Sequence, residues 1–397
     1  MMKHYSKIGL ALCVATISMV FASCNNSNIK GKVICDHVIE LPVVTEIDYE
    51  LGLQKDKEHC GHGFGCSVAS KITDNGEMLV GRSLDFFYSE TPCYVIRTNV
   101  PGFYKTVGLA HNPLSGSTFD EAKKNGISKE ELAGLIFFST DVLNEKGFYI
   151  EGNMRPSQPA STGIAPSIST NPDADVTLSI VAFIRYVGER AANVNEALEI
   201  AKSVNMHGLM SETFTWGGAF FMADTTGHHG VLELVDNKLI WLDMQDLQTN
   251  YYLNKDYKDK AVIGSGVGRY AVIEKGLPSV KNEADMENLM KKVRYAQLFH
   301  PETSEFDVRS EFCADETDEN GNLLSIQYLT DDKNYDSIMA HIKETMAESA
   351  KKSLKELRAE RVEWYSSYQT IVNCNKKTIH AIFYEDDNLT YDFGINE

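Results

Sequence analysis

Cys66-Ser67-Val68-Ala69-Ser70-Lys71-Ile72-Thr73-Asp74-Asn75-Gly76-Glu77-Met78-Leu79-Val80-Gly81-Arg82-Ser83-Leu84-Asp85-Phe86 opens with a thiol and, read as a hairpin, returns two charges toward it. Cys66 to Ile72 reads as a strand, Asp74-Asn75-Gly76 as a turn, and Met78 to Phe86 as a second strand running back antiparallel. The spacing predicts that Arg82 and Asp85 meet Cys66 at one end of a sheet. A free thiol has a pKa of about 8.5, and a neighbouring guanidinium lowers it. If the peptide bond before Cys66 is cut, the new α-amine has a pKa of about 7.7–8.0 and serves as a general base at neutral pH. Asp85 then orients that amine, and Gly65 lets the scissile bond distort. Nucleophile and base would belong to one residue.

Arg82 follows Cys66 by sixteen residues and Asp85 follows by nineteen, within Gly81-Arg82-Ser83-Leu84-Asp85. These residues and spacings resemble the opening of the N-terminal nucleophile hydrolases that cleave linear amides. That family includes choloylglycine (bile salt) hydrolase, penicillin V acylase, acid ceramidase and N-acylethanolamine acid amidase. The resemblance implies an α+β fold, the αββα sandwich, with two stacked antiparallel sheets between helical layers. It implies autocleavage between Gly65 and Cys66, and neither metal nor organic cofactor. It also implies a small-molecule N-acyl amide substrate and, since the family often forms homotetramers, a homo-oligomer.

The same resemblance extends to three residues further along. Asn153 closes the run Asn144-Glu145-Lys146-Gly147-Phe148-Tyr149-Ile150-Glu151-Gly152-Asn153, and Asn250 lies in Leu247-Gln248-Thr249-Asn250-Tyr251. Both are similar to segments that supply the family's oxyanion donors; taken alone, both read equally as turn residues. Arg269, in Gly264-Ser265-Gly266-Val267-Gly268-Arg269-Tyr270, is similar to an Arg that braces the site. The nineteen-residue gap from Asn250 to Arg269 is shorter than in bile salt hydrolases and closer to acid ceramidase relatives. Asn at position 153 leans toward bile salt hydrolases, because many penicillin V acylases carry Tyr there. Conjugated bile salts are therefore the first substrate class, ahead of N-acylethanolamines, other fatty acyl amides and penicillin V. Phe86, Phe87, Tyr88, Phe148 and Trp216 read either as an acyl pocket or as plain core. Two rival readings stand beside the hydrolase: a non-catalytic lipid- or sterol-binding surface lipoprotein, and an acyltransferase in which an amine replaces water.

The N-terminus reads as a targeting signal. Lys3 and Lys7 precede an apolar run from Ile8 to Phe21, which ends in Ala22-Ser23-Cys24. The run is too short to span a bilayer as a helix. Cys24 after Ala-Ser resembles a bacterial lipobox, which makes residues 1–23 a signal peptide and Cys24 the lipidated residue of an envelope lipoprotein. Phe21 departs from the usual residue at that place. Residues 24–65 read as tether and propeptide, and 66–397 as one amidase domain with an acidic insertion near 301–336.

The net charge of −18 and the 43% hydrophobic content describe a globular chain and exclude a nucleic-acid partner. Of the eight Cys, those left after Cys13, Cys24 and Cys66 form an odd set, which does not read as a full disulfide framework. Cys60, His62 and Cys66 lack a second ligand pair at zinc spacing. The Glu316–Gln327 stretch carries Gln where a calcium loop needs a bidentate Glu.

The pattern predicts strands over 66–72, 77–87, 93–99, 134–139 and 147–152, with a helical stretch from Phe119 to Lys124. A Pro/Ser/Thr-rich loop from Pro156 to Pro172 reads as a lid. A helix capped by Asp175 or Thr177 follows, then a helix from Asn195 to Val204. Strands are expected at 216–224, 230–235 and 239–242, and helices at about 285–299 and 337–363. Three strands close the chain, at 369–374, 378–384 and 389–393.

Overall fold

The computed structural model describes residues 28–58, 65–87, 91–111, 116–155, 162–164, 169–207, 209–210, 215–258, 266–293, 296–300, 305–308, 364–383 and 389–395. Gly65 and Cys66 are consecutive residues of the strand Gly65–Ile72.

Two large sheets carry the molecule. In the first, the strands lie in the order Lys32–Cys35, Val38–Glu40, Cys93–Thr98, Thr106–Ala110, Ser139–Asn144, Tyr149–Arg155, Thr215–Ala223, His229–Val235 and Lys238–Asp243. The short strand Leu209–Met210 adds to Thr215–Ala223. Every pairing in this sheet is antiparallel except that of Val38–Glu40 with Cys93–Thr98. The second sheet runs Leu247–Gln248, Gly65–Ile72, Met78–Phe87 and Trp364–Asn373, then out to Thr378–Phe383 and Leu389–Gly394. Ala296–His300 pairs with the start of Trp364–Asn373, and Glu305–Val308 pairs with Ala296–His300.

The pleat decides which face each sheet turns where, because alternate side chains point to opposite sides. A Cβ on Gly152 would meet Ile184 of the helix Ile180–Gly188, so that face of Tyr149–Arg155 lies under a helix. Glu151 points the other way, to Arg82 of the second sheet. On Met78–Phe87, a Cβ at Gly81 would meet Met286 and Met290 of the helix Glu283–Lys292. Arg82, one residue on, reaches back to the first sheet. Helix, sheet, sheet and helix therefore stack in that order, the layering expected from the sequence.

Each helix has a local cause. Ser179 caps Ile180–Gly188 by accepting from the Ala182 N–H, and Asn193 caps Val194–Ser203 in the same way. The cap at Ser179 corrects the expectation of Asp175 or Thr177, because Thr177–Ser179 is a short strand paired in parallel with Asn205–His207. The strand expected over 134–139 is also wrong. Ser128 caps the helix Lys129–Phe137, and the strand begins only at Ser139. That helix is buried at Leu132, Ala133, Leu135, Ile136 and Phe137, so its apolar run shows no helical period. The helix expected over 285–299 ends at Lys292, and Ala296–His300 is a strand. The Thr118 capping box starts Phe119–Asn125 where the pattern placed it.

Residues 32–58, within the stretch read as tether and propeptide, contribute to the fold. Two strands add to the first sheet, and the helix Tyr49–Glu58 packs beside Lys129–Phe137. The signal region with Cys24 lies outside the described residues, as do most of the 301–336 insertion, the helix expected over 337–363 and much of the 156–172 loop. Among the described residues, no helix is long and apolar enough to cross a membrane.

Candidate active site

The hairpin register places Gly65 opposite Asp85, Cys66 opposite Leu84, Ser67 opposite Ser83 and Val68 opposite Arg82. Opposed residues share a face. Cys66 and Arg82 therefore lie between the sheets, while Ser67, Ser83 and Asp85 face the helices. The turn that sets this register holds Gly76 at φ +77°, a conformation favouring glycine.

On the inter-sheet face, Arg82 Nη2 lies 3.7 Å from Cys66 Sγ and 3.5 Å from the Gly152 carbonyl oxygen. Its Nη1 donates to Asp141 Oδ2 at 2.9 Å and to the Tyr368 hydroxyl at 2.6 Å, and its Nε donates to Glu151 Oε2 at 3.0 Å. Asp141 also accepts from the Leu109 N–H at 2.9 Å. Arg82 pulls the Cys66 thiol pKa down, and burial outweighs that pull. Burial pushes the Cys66 thiol up to about 12; Arg82 pulls it down, but Glu151 and Asp85 push it further up. Burial is the largest influence on the thiol, larger than the pull of Arg82. Burial likewise pushes Glu151 up to about 7 against the pull of Arg82.

On the helix face, Asp85 Oδ1 accepts from Ser83 Oγ at 2.8 Å and from Ser366 Oγ at 2.6 Å. Its Oδ2 accepts from Arg269 Nη1 at 2.7 Å, and the same Nη1 donates to Ser67 Oγ at 2.8 Å. Burial pushes Asp85 above the usual carboxylate range, and Arg269 and the two serines pull against it. Arg269 projects from the helix Val267–Gly276, whose start is the left-handed Gly266 at φ +86°. Its Nη2 donates to Asn250 Oδ1 at 3.1 Å, and that same oxygen accepts from the Cys66 N–H at 2.9 Å. A continuous chain thus runs Asp85–Arg269–Asn250–Cys66 N. Asp85 and Cys66 point to opposite faces of the hairpin, and this chain joins them.

Cys66, Arg82, Asp85, Asn153, Asn250 and Arg269 are all buried, and the second sheet with its helix brings all but Asn153 within one contact network. Asn153 joins from the first sheet. With its amide turned as its neighbours require, Nδ2 donates to Glu151 Oε2 and to the Gly152 carbonyl oxygen, both at 3.2 Å. Asn250 Nδ2 donates to the Met154 carbonyl oxygen at 3.0 Å. Both amides therefore hold protein groups.

Phe148 is buried in the core. Phe86, Phe87 and Trp216 lie on strands, but their side chains fall outside the described residues, as does Tyr88 altogether. A cavity lined by Lys55, Asp56, Tyr94, Glu131 and Phe137 includes none of the site residues. Among the described residues, Cys66 and Cys374 are free thiols, and no three His, Cys, Asp or Glu gather as a metal-holding group.

Sequence reasoning passed over Asp141, Glu151, Gln248 and Tyr368. The signal was present for two of them: Asp141 sits in Ser139-Thr140-Asp141-Val142-Leu143 and Glu151 in Tyr149-Ile150-Glu151-Gly152, carboxylates inside otherwise buried strands. A charge in such a place needs a partner.

No family model matches this chain, and no curated protein matches it. Among solved structures, a mutant of conjugated bile acid hydrolase from Clostridium perfringens is similar at 15% identity, over 83% of this chain and 92% of that one, with a TM-score of 0.43. Penicillin V acylase from Agrobacterium tumefaciens is similar at 11% identity, over 84% of this chain and 87% of that one, with a TM-score of 0.39. Both are loose likenesses of the chain path.

Proposed function

We propose that this protein is a cysteine amidase of the N-terminal nucleophile type, acting on linear amides of N-acyl compounds. The observation that carries the reading is the double contact at Cys66: Arg82 stands at its sulfur, and Asn250, tied through Arg269 to Asp85, stands at its backbone nitrogen. Such an arrangement serves a residue that uses both its thiol and its amine.

Maturation begins when the Cys66 thiol adds to the Gly65 carbonyl carbon. The peptide C–N bond breaks as the nitrogen takes a proton, and water hydrolyses the resulting thioester. This frees the Cys66 α-amine and a Gly65 carboxylate. In turnover, the α-amine takes the thiol proton as sulfur adds to the substrate amide carbon. The leaving amine departs with that proton, and water hydrolyses the acyl thioester. The thiol's upward shift suits this order, because the proton leaves only as the bond forms. Asn250 and Asn153 are the oxyanion donors of the reading. Conjugated bile salts are the first substrate class, and lipidation at Cys24 would hold the enzyme at a bacterial envelope membrane.

The test is intact mass and N-terminal sequencing of the wild type beside Cys66→Ala, with taurocholate, palmitoylethanolamide and penicillin V offered in parallel. The expected wild-type chain begins at Cys66 and turns over at least one amide, while the variant stays whole and inactive. A wild-type chain continuous through Gly65–Cys66 overturns the mechanism.

A further inference from the structure

We propose that Glu151 is the positioning residue of the Cys66 site, holding Arg82 and the Asn153 amide in place and controlling how much of Arg82's positive charge reaches the sulfur. This rests on the reading of Cys66 as nucleophile and names a residue that reading did not contain.

Glu151 is 0% exposed, and its two oxygens bind four groups from four strands. Oε2 accepts from Arg82 Nε at 3.0 Å and from Asn153 Nδ2 at 3.2 Å. Oε1 accepts from the Phe221 N–H at 3.3 Å and from Gln248 Nε2. Gln248 lies two residues before Asn250. One carboxylate therefore touches the guanidinium at the thiol, one candidate oxyanion amide, and the segment carrying the other.

Charge counting gives the second half of the argument. The groups around Glu151 are Arg82 and Cys66 from the hairpin, Asp141 from the neighbouring strand, Tyr149 on its own strand, and Tyr368 from the second sheet. Arg82 supplies one positive charge to Asp141 and Glu151 together. A thiolate at Cys66 with both carboxylates ionised would place three negative charges about that one guanidinium. Asp141 accepts from Arg82, from the Leu109 N–H and from the Tyr368 hydroxyl, which pull its carboxyl down against the upward push of burial. Glu151, already pushed up to about 7 by burial, is the carboxylate that can carry a proton at working pH. With Glu151 neutral, Arg82 serves the sulfur; with Glu151 ionised, it serves Glu151. A neutral Glu151 therefore makes the thiol easier to ionise than an ionised Glu151 does.

The experiment reads thiolate absorbance at 240 nm against pH, as the difference from Cys66→Ala, in wild type and Glu151→Gln. Removing the negative charge should lower the Cys66 midpoint by about one pH unit or more, a tenfold gain in thiolate fraction at fixed pH. A folded Glu151→Gln with an unmoved midpoint overturns the proposal. Should that variant fail to fold, carboxyl-carbon NMR of wild type decides: Glu151 is expected to titrate near neutrality, and a carboxyl ionised throughout pH 5.5–8.5 overturns the proposal. Neither readout needs substrate or a cut before Cys66. A shifted midpoint in a protein that N-terminal sequencing finds whole would leave Glu151's role standing while the amidase reading falls.

Discussion

Arg269 joins the two groups that the hairpin itself separates. Its guanidinium binds Asp85 and Ser67 with one nitrogen and Asn250 with the other. Replacing it with Leu would take the Arg269 charge from the buried Asp85 carboxylate, leaving it its hydrogen bonds from Ser83 and Ser366. Losing one partner of a buried ion pair costs about 3–5 kcal/mol. The cost should depend on pH, and its sign follows from Asp85, whose folded pKa is already raised. Removing Arg269 raises it further, so the carboxyl binds a proton more readily folded than unfolded. Stability is then retained at low pH and lost as pH rises through the folded value. Urea unfolding of Arg269→Leu should show a larger deficit at pH 8 than at pH 5. Equal deficits would mean that Asp85 and Arg269 do not act as a charge pair.

Among the elements, the strand Thr106–Ala110 carries no candidate residue yet supports the site. A Cβ on Gly108 would lie 2.2 Å from the Asp141 carbonyl oxygen, a backbone atom that cannot swing aside. Gly108→Ala must therefore displace the strand that presents Asp141 to Arg82. Overpacking of this kind costs about 1–3 kcal/mol. Gly152→Ala is the control, because its Cβ would meet the Ile184 side-chain tip at 2.8 Å, which can rotate. Thermal unfolding should rank Gly108→Ala well below Gly152→Ala, and processing before Cys66 should slow in the former. The reverse ranking would show that the strand yields freely.

At the scale of the whole molecule, the segment before Cys66 is part of the fold. Val38, Ile39, Leu41, Val44 and Ile47 are buried, and Asp56 accepts from the Ser179 N–H at 2.9 Å. Glu40 pairs with Arg97 and accepts from the Tyr391 hydroxyl at 2.8 Å; the Tyr49 hydroxyl donates to Glu189 at 2.5 Å. Five such apolar side chains contribute roughly 1.5–3 kcal/mol each. That total is comparable with the about 4–15 kcal/mol cost of associating two chains, so the polar contacts tip the balance toward binding. A protease site placed within 59–64 should therefore give two fragments that co-elute in size exclusion and part only in denaturant. Separation under native conditions would show that the segment is held by covalent connection alone.

Cys66, Arg82 and Asp85 were legible in the sequence because a tight hairpin ties them together locally: a turn at Asp74-Asn75-Gly76 fixes the register, and the register fixes every pair. Even the separation of Arg82 from Asp85 onto opposite faces is contained in their odd spacing. The layered α+β order was legible from the alternation of strand and helix patterns. Other features depended on contacts distant in sequence. The parallel pairing of Val38–Glu40 with Cys93–Thr98 brings in a three-residue strand too short to show a period of its own. The helix that carries Arg269 to Asp85 opens on glycines and shows no plain apolar stripe. The balance of charge at the thiol was beyond reach for the same reason. Arg82 beside a cysteine promises a lowered pKa and does pull it down, but the thiol's own burial between two sheets, with Glu151 supplied by the other one, outweighs that pull.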